Sequence, residues 1–471
     1  MLLSSLLHSL EYIVLQGCTT AEINGIADHS AKVKPGDLFV CIKGYHADGH
    51  CYLQEAASAG AQGVVVEQLS DRLETVMTQF PQMTVLLVQD TLKALALLAS
   101  AFYGDPSHRI RMIGVTGTKG KTTTACMLNA LLRKSGIRSG MIGTLGAWFD
   151  ETLEAPATTT PDPICLHCLL KQMEELGCTH VILEVSSQSL MRRRVYGIPF
   201  ALSIYTNLYP DHIGTQEHRT LEEYAYWKST LFAHSQISII NQDADFSVLM
   251  RGMALGDVVE YSLSRWECSH KDRFDIGLPG RYNQENALAA ITAAQTLGLL
   301  DISADALKDL KIPGRAEVLE GKGYRVIIDY AHNESSLQKL LQMLRTMEPK
   351  RLICIYGSGG ERSVLRRQGM GRAGGLYADL SVLTEDNSRS EPLDLILSGL
   401  IDGVASVNGS YVVIPDRREA IHQTILSALE GDLIAVVGKG HETWQEIGGE
   451  RVYFSDREEA EKAMSIKESI K

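Results

Sequence analysis

The chain has no apolar run long enough to cross a membrane, no internal repeat, no low-complexity tract and no excess of positive charge. The first absence argues against a membrane-inserted protein. The last, a net charge of −12 at pH 7, argues against a nucleic-acid partner gripped by a basic surface. It leaves room for a local anion site. A disulfide frame is missing too. Nine cysteines, an odd number without repeating spacing, fit a reduced, cytoplasmic compartment. One pair, Cys165-x-x-Cys168 in ICLHCLL, reads as helix packing, with a zinc or redox role as the alternative. The opening MLLSSLLHSLEYIVL lacks a basic leader and a small-residue cleavage site. Leu3, Leu6, Leu7 and Leu10 fall on one helix face, so a structural helix is expected there and not a signal peptide.

What is present is ordinary for a globular protein: 45% hydrophobic and 22% charged residues over 471 positions, too many for one core. Three α/β domains are expected. Residues 1–108 mix short strands and turns, including KPGDLFVCIKG and AQGVVVE, and DPSHR reads as a linker. From 109 to 314 apolar strands (RMIGV, HVILEV, ALSIYTNL) alternate with helices such as TTTACMLNALLRKSG, which predicts a mostly parallel sheet covered on both faces. IPGR marks the next junction. From 315 to 471 the alternation restarts with YRVIID, RLICIYG, LSVLT, YVVI and DLIAVVG, predicting a Rossmann-like domain. Open α/β sheets bind ligands beyond the carboxyl ends of their strands, and those ends here carry GVTGTKGKTT, NLYPDH, DYAHN, GSGGER, TEDNSR and GKGHE. Two such rows of strand ends predict an interdomain cleft.

GVTGTKGKTTT is the most specific of these. Gly114, Gly117 and Gly120 stand three apart between a strand and a helix. Glycines let the backbone approach a ligand, loop amides and a helix N-terminus cradle polyphosphate, a lysine reaches the terminal phosphates, and the next hydroxyl meets magnesium. The spacing departs from the general pattern at Val115. Glu184 ends an apolar run that predicts a doubly covered strand, where an isolated carboxylate is costly. It is expected to be a magnesium ligand, the alternative being a buried, hydrogen-bonded Glu. Asp211-His212 follows another strand end, which raises a metal or phosphate role for His212 above a purely structural one. No guanine-reading N-K-x-D follows in the expected context, which disfavours a GTPase switch.

GVTGTKGKTTT, LEVSSQ, TNLYPDH, EEYAYWKSTLF, GRYNQENALAA, PGRAE, DYAHN, GSGGER, DNSR and GKGHE occur in the order seen in the Mur ligases. The chain resembles that family over essentially its whole length, most of all its UDP-N-acetylmuramoyl-tripeptide synthetase branch. The resemblance implies an N-terminal UDP-substrate domain, a central ATPase-like domain and a C-terminal Rossmann-like domain. It implies ATP and Mg2+ as cofactors, small-molecule substrates and a monomer. The activity it implies is ligation of a diamino acid to UDP-N-acetylmuramoyl-L-alanyl-D-glutamate through an acyl phosphate, in peptidoglycan precursor synthesis.

Carried over residue by residue, the resemblance assigns ATP to Gly117, Thr118, Lys119, Gly120, Lys121, Thr122 and Thr123, with Asn283 and Asn286 on the adenine side and Arg315, Asp329 and His332 as further contacts. Lys121, Glu184, His212 and Lys228 become the catalytic set. Thr122, Glu184, His212 and a carbamylated Lys228 become the metal set. Without the resemblance Lys228 reads as an ordinary lysine of an amphipathic helix. The UDP-substrate positions are Ser30, Tyr45, His46, Ala47, Thr159, Thr160, Ser186 and Arg194. Two positions depart from the family pattern: Ala31, where an arginine follows the serine, and Arg192, where glutamine is frequent.

The amino-acid positions are Arg362, Asp386, Asn387, Arg389, Gly438 and Glu442. The family pattern D-N-P-R uses its arginine on the distal carboxylate of meso-diaminopimelate, and a planar guanidinium suits a carboxylate bidentately. Ser388 replaces the proline and Arg389 remains. GTKGKTT, EVSSQ and DHIGTQEH instead look like the branch that adds L-lysine. Meso-diaminopimelate is the favoured expectation, L-lysine the next, and Glu391 is open between ammonium recognition and a loop role. The rivals are a sister ligase, of folate or secondary metabolism, and a non-catalytic nucleotide-binding partner protein. The full N-terminal domain and DNSR speak against the folate version. Lys121, Glu184 and Lys228 speak against the non-catalytic one.

Overall fold

The computed structural model describes residues 1–44, 47–154, 158–210, 213–214, 218–269 and 276–469. Tyr45, His46, Asp211 and His212 lie outside them. The chain divides into two compact units, Met1–Asp275 with Tyr282–Leu307, and Ile276–Arg281 with Lys308–Lys471.

The first unit holds two sheets. In the five-stranded one, Gly25–Ala27, Asp37–Val40, Gly63–Val66 and Thr84–Leu87 run parallel, and Ile13–Gln16 closes the edge antiparallel. The opening leucines make one helical turn, Leu3–Leu6, and not the longer helix their spacing predicts. The amides of Leu3 and Ser4 bond to the carbonyls of Ala21 and Thr19, so the segment's backbone is committed to that neighbour. Leu3, Leu6 and Leu7 are buried all the same. DPSHR is not a free linker. Pro106–His108 is a 3-10 turn, and Pro106 and Ser107 are buried.

The eight-stranded sheet has the order Asp257–Tyr261, Ser235–Asn241, Phe200–Tyr205, Arg111–Thr116, His180–Glu184, Ser139–Gly143, Gly146–Phe149, Glu151–Glu154. The first six strands are parallel and the last two fold back antiparallel. Register places Glu184 opposite Val115 and Tyr205 opposite Thr116, so the phosphate loop and two polar strand ends share one edge.

Helix Pro163–Glu175 covers this sheet and carries Cys165 and Cys168. Cys165 packs against the core, and Gln172 Nε2 donates to Cys168 Sγ, as helix packing requires. The same helix buries His167, and neither of its ring nitrogens has a hydrogen-bond partner among the described residues. Burial, opposed by the charge of Asp105, pushes its pKa down to about 4. The unfolded chain therefore takes up this proton first as pH falls, and stability is lost between about pH 6.5 and 4. The loss should reach about 2–3 kcal/mol by pH 4.5. Urea unfolding at pH 7 and pH 4.5 should show a His167→Leu variant with a pH dependence smaller by that amount. An unchanged dependence would mean that His167 is not held neutral.

The second unit is built on a six-stranded sheet of order Glu317–Glu320, Arg325–Asp329, Asp432–Val437, Arg351–Tyr356, Leu380–Leu383, Tyr411–Val413. All pairings are parallel except the first. A hairpin, Trp444–Ile447 with Glu450–Tyr453, follows the GKGHE loop. Gly314 of IPGR takes φ +63, and a Cβ there would stand 2.2 Å from the amide nitrogen of His441. The junction motif is glycine because it lies against that loop.

Candidate active site

The phosphate loop leaves the strand Arg111–Thr116 and enters the helix Lys121–Lys134 at Gly120. Gly120 takes φ +85, and a Cβ on it would come within 2.3 Å of Asn286 Oδ1. The loop is gripped from outside by TNLY. Lys119 N donates to Asn207 Oδ1 at 2.9 Å, Thr206 Oγ1 donates to Lys119 O at 2.7 Å, and Tyr209 N donates to Thr118 Oγ1 at 3.0 Å. Thr122, Thr123 and Thr124 are buried at the helix start. Asn283 and Asn286, on helix Arg281–Thr296, arrive from far along the chain. Asn286 Nδ2 donates to Asn283 Oδ1, and Thr124 Oγ1 to Asn286 Oδ1, each at 3.4 Å.

Two lysines converge on one carbonyl. Lys121 Nζ donates to Gly117 O at 2.9 Å and to Thr118 O at 3.2 Å, and Lys228 Nζ donates to Gly117 O at 2.9 Å. Lys228 is buried on helix Leu221–Ser229, with its ammonium 4.7 Å from the centre of the Tyr224 ring.

Glu184 is fully buried. Its Oε2 accepts from Thr122 Oγ1 at 2.9 Å and Thr144 Oγ1 at 3.2 Å, and its Oε1 accepts from Thr144 N at 2.9 Å. Three donors compensate the burial. Among the described residues no group of three or more His, Cys, Asp or Glu side chains could hold a metal. Magnesium beside a nucleotide needs no such cage, because it is held by one or two carboxylates with phosphate oxygens and water. A lone carboxylate touching the hydroxyl that closes a phosphate loop fits that requirement. Thr144 escaped the sequence reading. Its signal, a polar residue just past the apolar strand Ser139–Gly143, is the same one that marked Glu184.

The same edge gathers Thr159, Thr160, Ser186 and Arg194. Thr160 Oγ1 donates to Glu184 O at 2.8 Å, Ser186 N donates to Thr160 Oγ1 at 3.1 Å, and Arg194 Nη1 donates to Thr160 O at 2.7 Å. The Thr159 and Thr144 hydroxyls lie 3.2 Å apart. In the five-stranded part, Ser30 is buried in a 3-10 turn, Ala31 is exposed and Ala47 O accepts from Gly44 N. Beside that turn, His50 Nε2 accepts from Glu67 N, so Nδ1 carries the proton and donates to Asp48 Oδ1 at 2.6 Å. Arg192 Nη1 donates to Lys43 O at 2.9 Å, which ties the two sheets of this unit together near positions 45–47.

In the second unit the DNSR stretch lies against the GKGHE loop. Lys439, fully buried, donates to Asn387 Oδ1 at 3.1 Å and Glu442 Oε2 at 3.0 Å, and stands 3.8 Å from Asp386. Asn387 Nδ2 donates to Glu442 Oε2 at 3.2 Å. A Cβ on Gly438 would meet Asp386 Oδ2 at 2.8 Å. Ser388 Oγ donates to Glu385 Oε1 at 2.6 Å. Arg389 takes φ +55, and its Nη1 donates to Gly360 O at 3.2 Å. Arg362 is exposed. Glu391 pairs with Arg367 at 2.5 Å and accepts from Glu361 N at 2.7 Å, which gives it the loop role of its two alternatives. Asp329 accepts from Ala316 N and Ala331 N, and Arg315 lies 4.9 Å over the Tyr330 ring. His332 packs edge-on against that ring. Burial, followed by the Glu442 charge, pushes the Tyr330 hydroxyl up to about 12, so it stays protonated and donates to Glu442 at 3.3 Å.

Comparison with known proteins identifies the family. Three family descriptions match in chain order: the Mur ligase family catalytic domain over 22–103, the Mur ligase middle domain over 115–294, and the Mur ligase glutamate ligase domain over 314–440. The UDP-N-acetylmuramoyl-L-alanyl-D-glutamate--2,6-diaminopimelate ligase of Clostridium botulinum is 36% identical, with 97% of this chain and 98% of that protein covered. Its counterpart in Aquifex aeolicus is 37% identical over 92% of each. A solved structure of a ligase of the same name superposes with a TM-score of 0.65 at 26% identity, covering 99% of both chains. The MurF ligase of Thermotoga maritima, solved with ADP, shares the fold at a TM-score of 0.56 and 18% identity. No helix among the described residues is long and apolar enough to cross a membrane. With its motifs in order, its domains matched in sequence and relatives alike over nearly its whole length, the chain belongs to the Mur ligase family.

Proposed function

We propose that this chain joins meso-diaminopimelate to the D-glutamyl carboxylate of UDP-N-acetylmuramoyl-L-alanyl-D-glutamate, at the expense of ATP, as its relatives' names state for them. The observation that carries the choice of amino acid is Arg389, held in a left-handed turn with its Nη1 donating to Gly360 O.

A carboxylate oxygen of the acceptor attacks the γ-phosphorus and ADP leaves. The amine then attacks the acyl carbon, and inorganic phosphate departs with the bridging oxygen. No protein nucleophile is required, and the protein's work is positioning and charge neutralisation. Gly117 to Thr123 supply the cradle, and the Lys121 ammonium offsets charge on the transferred phosphoryl group. Asn283 and Asn286 take the adenine side, with Arg315, Asp329 and His332 as further ATP contacts. Thr122, Glu184 and His212 would hold magnesium, which would supply positive charge against the phosphates. Ser30, Tyr45, His46, Ala47, Thr159, Thr160, Ser186 and Arg194 take the UDP substrate. Arg362, Asp386, Asn387, Arg389, Gly438 and Glu442 take the amino acid. These roles fall within domains of 1–108, 109–314 and 315–471. The reading includes a cytoplasmic monomer.

Lys228 completes the metal set as a carbamate, formed when its neutral amine adds to carbon dioxide and loses a proton. Burial of an ammonium there is costly, and the carbamate reverses its sign. Lys228→Ala should be inactive and partly rescued by acetate. Intact mass or density showing plain lysine in an active, magnesium-loaded enzyme would rule the carbamate out.

The direct test is an amino-acid panel with UDP-muramoyl dipeptide and ATP, scored by phosphate release and product mass. Turnover with meso-diaminopimelate above all others is expected. A preference for L-lysine would overturn the amino-acid assignment, and no turnover with this acceptor would overturn the UDP-muramoyl assignment.

A further inference from the structure

We infer that Arg366 is a positioning residue for the nucleotide: its guanidinium grips the backbone carbonyl of His332 and so sets where that residue meets ATP. This rests on the ATP contacts proposed above and adds to them a residue that acts through one of them.

Arg366 and Arg367 lie at the start of the helix Val364–Tyr377. The first turn of a helix favours acidic residues, because the macrodipole places positive charge there, and this one carries none. Two cations set against that field need other partners. Successive helical residues project about 100° apart, so the pair reaches two different loops. Arg367 is buried. Its Nη1 and Nη2 donate to Glu391 at 2.7 and 2.5 Å, and its Nη2 to Arg362 O at 3.2 Å. Arg366, half-buried, donates through Nε and Nη2 to His332 O at 3.1 and 2.7 Å.

That carbonyl has no place in regular structure. Asn333 is the N-cap of the helix Glu334–Arg345, and its own carbonyl accepts the first bond of the ladder, from Leu337 N. The carbonyl one residue earlier lies outside the ladder, and two N–H groups of a charged donor satisfy it. The two helices are fastened to each other nearby. Arg372 Nη2 donates to Glu334 Oε1 at 3.0 Å and Oε2 at 3.2 Å, and a Cβ on Gly369 would stand 2.3 Å from Glu334 Oε2. Arg366 therefore grips the loop from a fixed helix. His332 Nδ1 donates to Tyr330 O at 2.8 Å, so the imidazole is oriented by the loop's own backbone, and a shift of the backbone at 332 carries the ring with it.

The DYAHN loop follows the strand Arg325–Asp329 and GSGGER follows Arg351–Tyr356, with Asp432–Val437 lying between them in the sheet. Strands two places apart are about 10 Å from each other, so no ladder bond relates the two loops. The helix Val364–Tyr377 relates them instead, with one arginine on each. Ligation needs the phosphoryl donor and the amine in a fixed relation, and a small misplacement is costly in rate.

A double-mutant cycle on the KM for ATP tests this, read by acceptor-dependent phosphate release with the other substrates saturating. Arg366→Ala should raise that KM about 10-fold, an ordinary coupling for residues in contact. The KM for the amino acid and the thermal midpoint should stay at wild-type values. Arg366→Lys, which keeps one charged donor, should recover part of the loss. His332→Ala removes the ring that Arg366 places, so in that background Arg366→Ala should change the KM for ATP little. Equal effects in both backgrounds would mean that Arg366 does not act through His332. An equal rise in the KM for the amino acid, or a thermal midpoint that falls for both Arg366 variants, would mean that it only stiffens the domain. A KM for ATP untouched by Arg366→Ala would mean that it places nothing. Each of these overturns the inference while leaving the ATP contacts standing. A wild-type KM for ATP in His332→Ala would instead overturn the His332 contact itself, and the inference with it.

Discussion

Lys121→Ala should lower kcat about 100- to 1000-fold, the usual cost of removing one preorganised charge contact from a transition state. The lysine opens the helix after Gly120, and its ammonium lies at the loop, on the carbonyls of Gly117 and Thr118. The fold should survive, because Asn207, Thr206 and Tyr209 still hold the loop when the two bonds from this side chain are lost. Acceptor-dependent phosphate release, with a thermal melt as the folding control, measures it. A folded variant turning over at a near-normal rate would take Lys121 out of the phosphate site. Lys228 shares the Gly117 carbonyl but comes from a different helix, so it does not replace the missing charge at the same point.

The second large effect is on selectivity. Arg389→Ala should raise the KM for meso-diaminopimelate far more than that for lysine. Breaking a charge-paired contact in a closed site costs roughly 2 to 5 kcal/mol, or about 30- to several-thousand-fold. The KM for ATP should barely move. If the wild type prefers lysine and the variant keeps that preference, the diaminopimelate assignment fails. The ligase assignment would stand, because it rests on the Mur ligase domains and on relatives alike over nearly the whole chain.

Much of the site was legible beforehand because its chemistry is written in contiguous residues. GVTGTKGKTTT needs a strand before it and a helix after it, and both are local properties of the chain. Glu184 was legible as an anomaly, a charge at the end of an apolar run. The N-terminal leucines misled, since a spacing of three and four is equally served by one helical turn whose neighbouring amides pair with Thr19 and Ala21. Thr144 was missed for another reason. It carries the signal that marked Glu184, a polar residue at the end of an apolar strand, but it belongs to no motif, and its bonds to Glu184 are visible only in the fold.

The amino-acid sequence by itself determined the α/β class, the three successive domains, the phosphate loop and the family, because each depends on local periodicity or on motif order. Tertiary structure alone decided which of these residues meet. Thr122 and Glu184 are 62 positions apart, Gly117 and Lys228 are 111 apart, and Thr124 and Asn286 are 162 apart, yet each pair is in hydrogen-bond contact. The first two contacts follow from strand order, with Arg111–Thr116 lying between Phe200–Tyr205 and His180–Glu184. Strand order is set by how apolar faces pair across the sheet, and separation along the chain carries no trace of it.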